Sequence, residues 1–180
     1  MAGWWQTTLP EDLDQGDIYR DVPFILPVSP LQPLGHVNLK GNKAGWEVQA
    51  APRFDNQGHA NYIAKGPTQL GMVLNYGCDI IKPTNKRWIL VPVSPLSKYP
   101  PGTHQTIQLQ GQFNLFFLPG VPNVGDCVAD FRIVTSLPRE VVAPLPRLAG
   151  MTAAAREQLG ARLVAFFLRL DLKGEQVGGD

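Results

Sequence analysis

Hydrophobic and polar positions follow one another along this chain in short bursts rather than in one sustained rhythm. At Gly16–Phe24, Asp17, Tyr19 and Asp21 alternate with Ile18 and Val22, the period-2 pattern of a half-buried strand. Gly71–Asn75 and Trp88–Val93 are short, apolar runs rich in β-branched or aromatic residues and bounded by turn residues, as buried strands are. Further strands are predicted at Thr106–Gln110, Phe113–Phe117 and Cys127–Thr135, with Gln110–Gly111 turning the first two into a hairpin. The period changes after Ala149. Leu159, Leu163, Phe166, Phe167 and Leu170 recur at helical spacing while Arg156, Glu157, Arg162 and Arg169 fall off that face, which predicts an amphipathic helix over 151–172. Thr152 is its expected N-cap, Gly174 its expected stop, and 174–180 a loose tail. On this reading Leu163, Phe166 and Phe167 pack against the sheet or a second subunit, and Phe167→Ala costs on the order of 3–5 kcal/mol.

Two regions lack a clear period. Residues 1–15 are polar apart from Trp4–Trp5 and read as an arm whose paired tryptophans dock somewhere. Residues 27–66 are rich in Pro and Gly, with short strands predicted at Trp46–Val48 and Tyr62–Ala64 inside a long insert. Residues 16–173, the insert included, read as one domain, mainly β, closed by the C-terminal helix. The total of 17 Pro and 18 Gly, spread along the chain, supports many short strands joined by turns.

Composition narrows the class of function. With 180 residues, 44% hydrophobic and 17% charged, the chain has room for a substantial core. Its net charge of +1 gives no general bias toward polyanions, so any nucleic acid must be held by a local cluster of cations. Cys78 and Cys127 are the only cysteines, and no apolar run approaches the roughly 18 residues that span a membrane. A cytoplasmic protein with reduced thiols is expected. There is no Gly-rich phosphate loop, paired-cysteine zinc pattern or His-Glu zinc helix, so neither a metal nor a cofactor is expected. His36, His59 and His104 are scattered over predicted loops and read as surface residues. Cys78 has no histidine as sequence neighbour and reads as a structural or recognition residue, with thiol catalysis the weaker alternative.

The order of the segments is more telling than any one of them. Gln15-Gly16-Asp17-Ile18-Tyr19 opens the first strand and Met72-Val73-Leu74-Asn75 forms a buried one. Ile89-Leu90-Val91-Pro92-Val93-Ser94-Pro95-Leu96-Ser97-Lys98-Tyr99-Pro100 gives a strand and its turn, and Cys127-Val128-Ala129-Asp130-Phe131-Arg132-Ile133-Val134-Thr135 precedes the helix. This succession, from Gln15 to Leu172, resembles the PemK/MazF toxins, with a longer region after the first strand. The resemblance implies an SH3-like small barrel with a C-terminal helix. It also implies a homodimer and metal-independent cleavage of single-stranded RNA within a toxin-antitoxin or phage-defence system, with an antitoxin or other protein as partner.

Carried over by residue, Ser94 stands where the family has a Ser or Thr at its RNA-cleaving site, and Asp130 matches the Asp of its penultimate strand. The family's clamp Arg falls near Gln69, and a second Arg found in some members falls at Val128; neither residue supplies a cation. Cleavage through the 2′-hydroxyl needs a base, an acid and a cation beside the phosphorane. Arg132 is the first substitute, since strand alternation puts it on one face with Asp130; Lys82, Lys98 and Arg53 are others, and a structural ion pair is the alternative for Asp130 and Arg132. Candidates for RNA or partner contact are Asn75, Cys78, Asp79, Lys82 and Lys98, together with Trp46 and Tyr62 in the insert. The competing reading keeps the barrel without the chemistry, as a module that recognises a protein partner through the insert.

Overall fold

In the computed structural model the described residues are 3–24, 32–39, 43–48, 51, 61–63, 67–80, 82 and 84–168. The predicted tail, Leu170 and Gly174 lie outside them, as do Arg53, His59 and Ala64. The chain divides into two compact units, Met1–Val22 with Thr68–Asp180, and Pro23–Pro67.

The larger unit is mixed α/β. Its strands are β1 (Ile18–Pro23), β5 (Thr68–Val73), β6 (Arg87–Pro95), β7 (Leu115–Val121), β8 (Gly125–Asp130), β9 (Thr135–Pro138) and β10 (Arg147–Ala149). They form one antiparallel sheet in the order β10-β1-β5-β6-β8-β7, with β9 paired to β6. The sheet is curled and open, a half-barrel. β6 is its axis: Leu70–Val73 of β5 pair with Leu90–Val93 along one edge, while β9 takes Arg87–Leu90 and β8 takes Val93–Pro95 along the other. Trp88, Leu90, Val91 and Val93 of β6 are all buried, while Ile89 is 40% exposed.

After the short α3 (Arg139–Val142), helix α4 (Ala153–Leu168) covers one face. Leu159, Leu163 and Ala155 join Met72, Val91, Val93, Phe116, Leu118, Phe131 and Met151 in the main core. The other face carries a smaller cluster of Leu96, Ile107, Leu115 and Val128, with Tyr99 and Phe117 packed on it. The arm is docked: Trp4 and Trp5 pack on the main core, and Trp5 Nε1 donates to the Pro119 carbonyl at 2.7 Å. Gly16 adopts a left-handed φ of 87°, and a Cβ there would meet Met151 Sδ at 2.4 Å, so only glycine fits this entry to β1.

Several sequence expectations are corrected. Thr106–Gln110 is not a strand and makes no hairpin with the next segment; it belongs to α2 (His104–Gln108), and the hairpin partner of β7 is β8. Gln110 then turns with a φ of 56°. Arg162 of α4, expected off the apolar face, is buried and donates to the carbonyls of Gln110, Gln112 and Leu115. Those bonds fix the α2–β7 turn from the far side, a tertiary contact no local pattern encodes. Cys127–Thr135 is not one strand, since β8 ends at Asp130 and β9 starts at Thr135. Thr152 does not cap α4 with its side chain; its hydroxyl donates to the Gly3 carbonyl at 2.9 Å. Phe167 is 62% exposed, so it packs on neither sheet nor core.

At the entry to β1, Asp17 and Tyr19, expected to point outward, are each only 2% exposed, while Arg20 and Asp21 further along the strand are exposed. The Asp17 carboxylate lies 3.1 Å from Arg147 Nε and accepts the Asp14 N–H at 2.9 Å. Burial pushes the Asp17 carboxyl up to about 6, outweighing the Asp14 N–H and the charges of Arg147 and Arg156, which pull it down. Raised in the fold from an unfolded value of 3.8, it makes the folded state bind the extra proton between about pH 4 and pH 6. Asp17 therefore contributes stability that is present below pH 4 and lost as pH rises through 6. Urea denaturation of wild type and Asp17→Asn across this window should show the variant gaining relative to wild type as pH rises; a constant difference would contradict the burial effect.

The smaller unit carries a three-stranded antiparallel sheet, β3-β2-β4, from β2 (Gln32–Leu39), β3 (Lys43–Val48) and β4 (Asn61–Ile63). β2 carries no strand signal in the sequence, because Pro33 and Gly35 interrupt its alternation.

Candidate functional site

Register brings three of the predicted residues together. Ser94 on β6 lies opposite Val128 on β8, and Asp130 is two residues further along β8. Cross-strand partners and i, i+2 neighbours share a face, so Ser94, Val128 and Asp130 point to the side that carries the smaller cluster. Leu115 and Phe117 of β7, opposite Asp130 and Val128, share it too. Ser94 and Asp130 are diagonal neighbours, about 7–8 Å apart between Cα atoms, which leaves a gap wider than a hydrogen bond between them. Continuing the β5–β6 register by one residue places Gln69 opposite Ser94.

Arg132 reaches Asp130, but by a different route from the one the sequence suggested. It sits in the turn after β8, where its own backbone N–H donates to Asp130 Oδ1 at 3.0 Å. The guanidinium then folds back, with Nε at 2.9 Å from Oδ1 and Nη2 at 2.6 Å from Oδ2. The Asp130 side chain is 10% exposed and that of Arg132 is 61% exposed. A nearly buried carboxylate thus holds a solvent-facing cation in a fork geometry. The Asp130 hydrogen bond and charge hold Arg132 above its ordinary value, so it is a fixed charge.

Lys98 is exposed at the end of a 3-10 turn, Leu96–Lys98, that follows Ser94. The Tyr99 ring packs on the smaller cluster beside it, a residue to which the sequence reading assigned no role. The signal for it was present only as a tyrosine five positions after Ser94.

The other candidates lie elsewhere. Asn75 Oδ1 accepts the Ile89 N–H at 2.6 Å, a structural bond from the turn after β5 to β6. Cys78 and Asp79 are on α1 (Gly77–Ile80), with Cys78 exposed and Asp79 bonded to Lys82 at 2.7 Å. From Ile89 to Ser94 is about 17 Å along an extended strand, at roughly 3.3 Å per residue, so this group does not meet the Ser94 face. Trp46 is registered opposite His36, and Tyr62 opposite Pro33, within the smaller unit. Cys127 is buried, and burial together with Asp126 pushes its thiol up to about 11, far from a nucleophile. No group of three or more His, Cys, Asp or Glu converges among the described residues, and no helix there is long and apolar enough to cross a membrane. Comparison with protein-family models and with curated proteins returns no match to this chain.

Proposed function

We propose that the chain is a divergent PemK/MazF-like SH3-type barrel that holds single-stranded RNA by its phosphodiester backbone and cuts it weakly or not at all. The observation that carries this reading is Arg132, a guanidinium 61% exposed yet held in place by Asp130 on the face that also bears Ser94. A preorganised cation is what a nearly neutral protein needs to retain a polyanion locally. Lys98 on the adjoining turn adds a second charge. The order of strands and C-terminal helix fits the family resemblance, and the half-barrel is compatible with a divergent SH3-like frame.

The same geometry argues against efficient cleavage. Asp130 already accepts the Arg132 N–H, Nε–H and Nη2–H, so little of its carboxylate is left to act as a base. Gln69, beside Ser94, brings no charge, and Val128 is fully buried. Those two positions also favour the alternative of a catalytically silent toxin-fold module that recognises an antitoxin or another protein partner.

The test is a short mixed-sequence single-stranded RNA, followed for binding by fluorescence anisotropy and for cleavage on gels in chelator. Binding that weakens with salt, with cleavage slower than a MazF control by about 100-fold or more, is the expected result, because losing one charge-stabilising donor commonly costs 10²–10³ in rate. No binding at low salt would leave the protein-partner reading in front. Robust cutting would overturn the claim of weak chemistry.

A further inference from the structure

We infer that Tyr99 is the second donor of the site, its phenol hydroxyl hydrogen-bonding the same phosphate that Arg132 holds; this rests on the RNA-binding reading above. Tyr99 closes the turn that leaves β6 after Ser94, with its N–H donating to the Leu96 carbonyl at 3.0 Å. The ring is half-buried against Leu96, Ile107, Leu115 and Val128. Leu115 is the cross-strand partner of Asp130, and Val128 precedes it by two, so the ring stands on the strands that carry the ion pair.

The backbone around it is fixed independently. His104 Nε2 lies 2.9 Å from the Tyr99 carbonyl, and the Pro100 carbonyl accepts from Thr103 N at 2.9 Å and Oγ1 at 2.7 Å. A tyrosine held at both ring and backbone presents its hydroxyl at little entropic cost on binding. Burial raises its pKa, the Asp130 charge raises it further and Arg132 opposes, so the phenol stays protonated at neutral pH. Among the described residues, the hydrogen bonds of Tyr99 run through its backbone N–H and carbonyl, not its hydroxyl. A protonated phenol on the sheet face that carries the Asp130–Arg132 pair offers one neutral donor, and the guanidinium one charged donor, to adjacent oxygens of a single phosphodiester.

The experiment measures a short mixed-sequence single-stranded RNA against wild type, Tyr99→Phe, Tyr99→Leu, Arg132→Ala and the Tyr99→Phe/Arg132→Ala double variant. Tyr99→Phe keeps the packed ring, should melt with wild type, and should bind about tenfold more weakly. Its salt dependence should be unchanged, because the lost donor is neutral. The double variant should lose less than the product of the two single losses, as partners on one phosphate do. Wild-type affinity of Tyr99→Phe would overturn the donor and leave the RNA reading standing. A loss confined to Tyr99→Leu would assign the ring to base stacking and overturn it equally. Absence of RNA binding by wild type would take down both.

Discussion

Leu159→Ala is expected to lower the free energy of unfolding by about 2–5 kcal/mol, and Phe167→Ala by less than about 1 kcal/mol. Both residues lie on α4, and a helical reading of the sequence places both on its apolar side. Leu159 is fully buried within the main core. Truncating it removes its transfer free energy and leaves a cavity that a sheet braced on both edges of β6 cannot collapse to fill. Phe167 is 62% exposed and keeps one partner, Phe166, at a ring separation of 5.3 Å. An edge-on contact of that kind at the surface is a small loss. Urea denaturation of the two variants at neutral pH decides the matter. A cost for Phe167→Ala equal to that of Leu159→Ala, above all one that falls on dilution, would mean that the outer face of α4 is covered in solution.

The contrast shows where a sequence pattern stops. Helical periodicity located α4 and its core contact at Leu159, because a 3.6-residue repeat over four turns leaves few alternatives. It could not say how wide the buried stripe is, which depends on how far the sheet curls beneath it. The strands β5 and β6 were legible because each is a compact apolar run. Thr106–Gln110 misled because Thr-Ile-Gln-Leu-Gln alternates like a strand, while Arg162, which holds the carbonyls of Gln110, Gln112 and Leu115 at the turn that follows, comes from about 50 residues away in the chain. β9 and β10 were missed: three or four residues carry no period, and β10 is registered to β1 at only Ile18 and Tyr19.

At the site, the pairing of Asp130 with Arg132 was legible from their i, i+2 spacing, although a turn, not strand alternation, brings them together. The grouping of Asn75, Cys78, Asp79 and Lys82 with Ser94 followed chain order, and chain order runs the length of β6 between them. Tyr99 was invisible as a site residue because its position depends on how the 3-10 turn folds back onto Leu115 and Val128.

Arg132→Ala is expected to weaken single-stranded RNA binding about tenfold or more and to reduce the slope of log affinity against log salt by about one, as loss of one phosphate-contacting cation does. Asp130→Asn should behave differently if Asp130 positions the guanidinium and does not act as a base. The variant keeps an oxygen for the Arg132 backbone N–H, leaves the positive charge of Arg132 on the protein and removes a negative charge from the neighbourhood of the phosphate. Its salt slope should therefore not fall, and whatever slow cleavage the wild type shows should drop no further than its binding does. Stability should run the other way round. Arg132→Ala strands a carboxylate that is 10% exposed, whereas Asp130→Asn frees a side chain already 61% exposed, which water can solvate. Breaking a pair is costliest where the survivor is buried, so Arg132→Ala should destabilise the fold more than Asp130→Asn. Cleavage abolished by Asp130→Asn with RNA affinity intact would instead place Asp130 in the chemical step, and loss of the acidic limb of the pH–rate profile in the variant would identify it as the base.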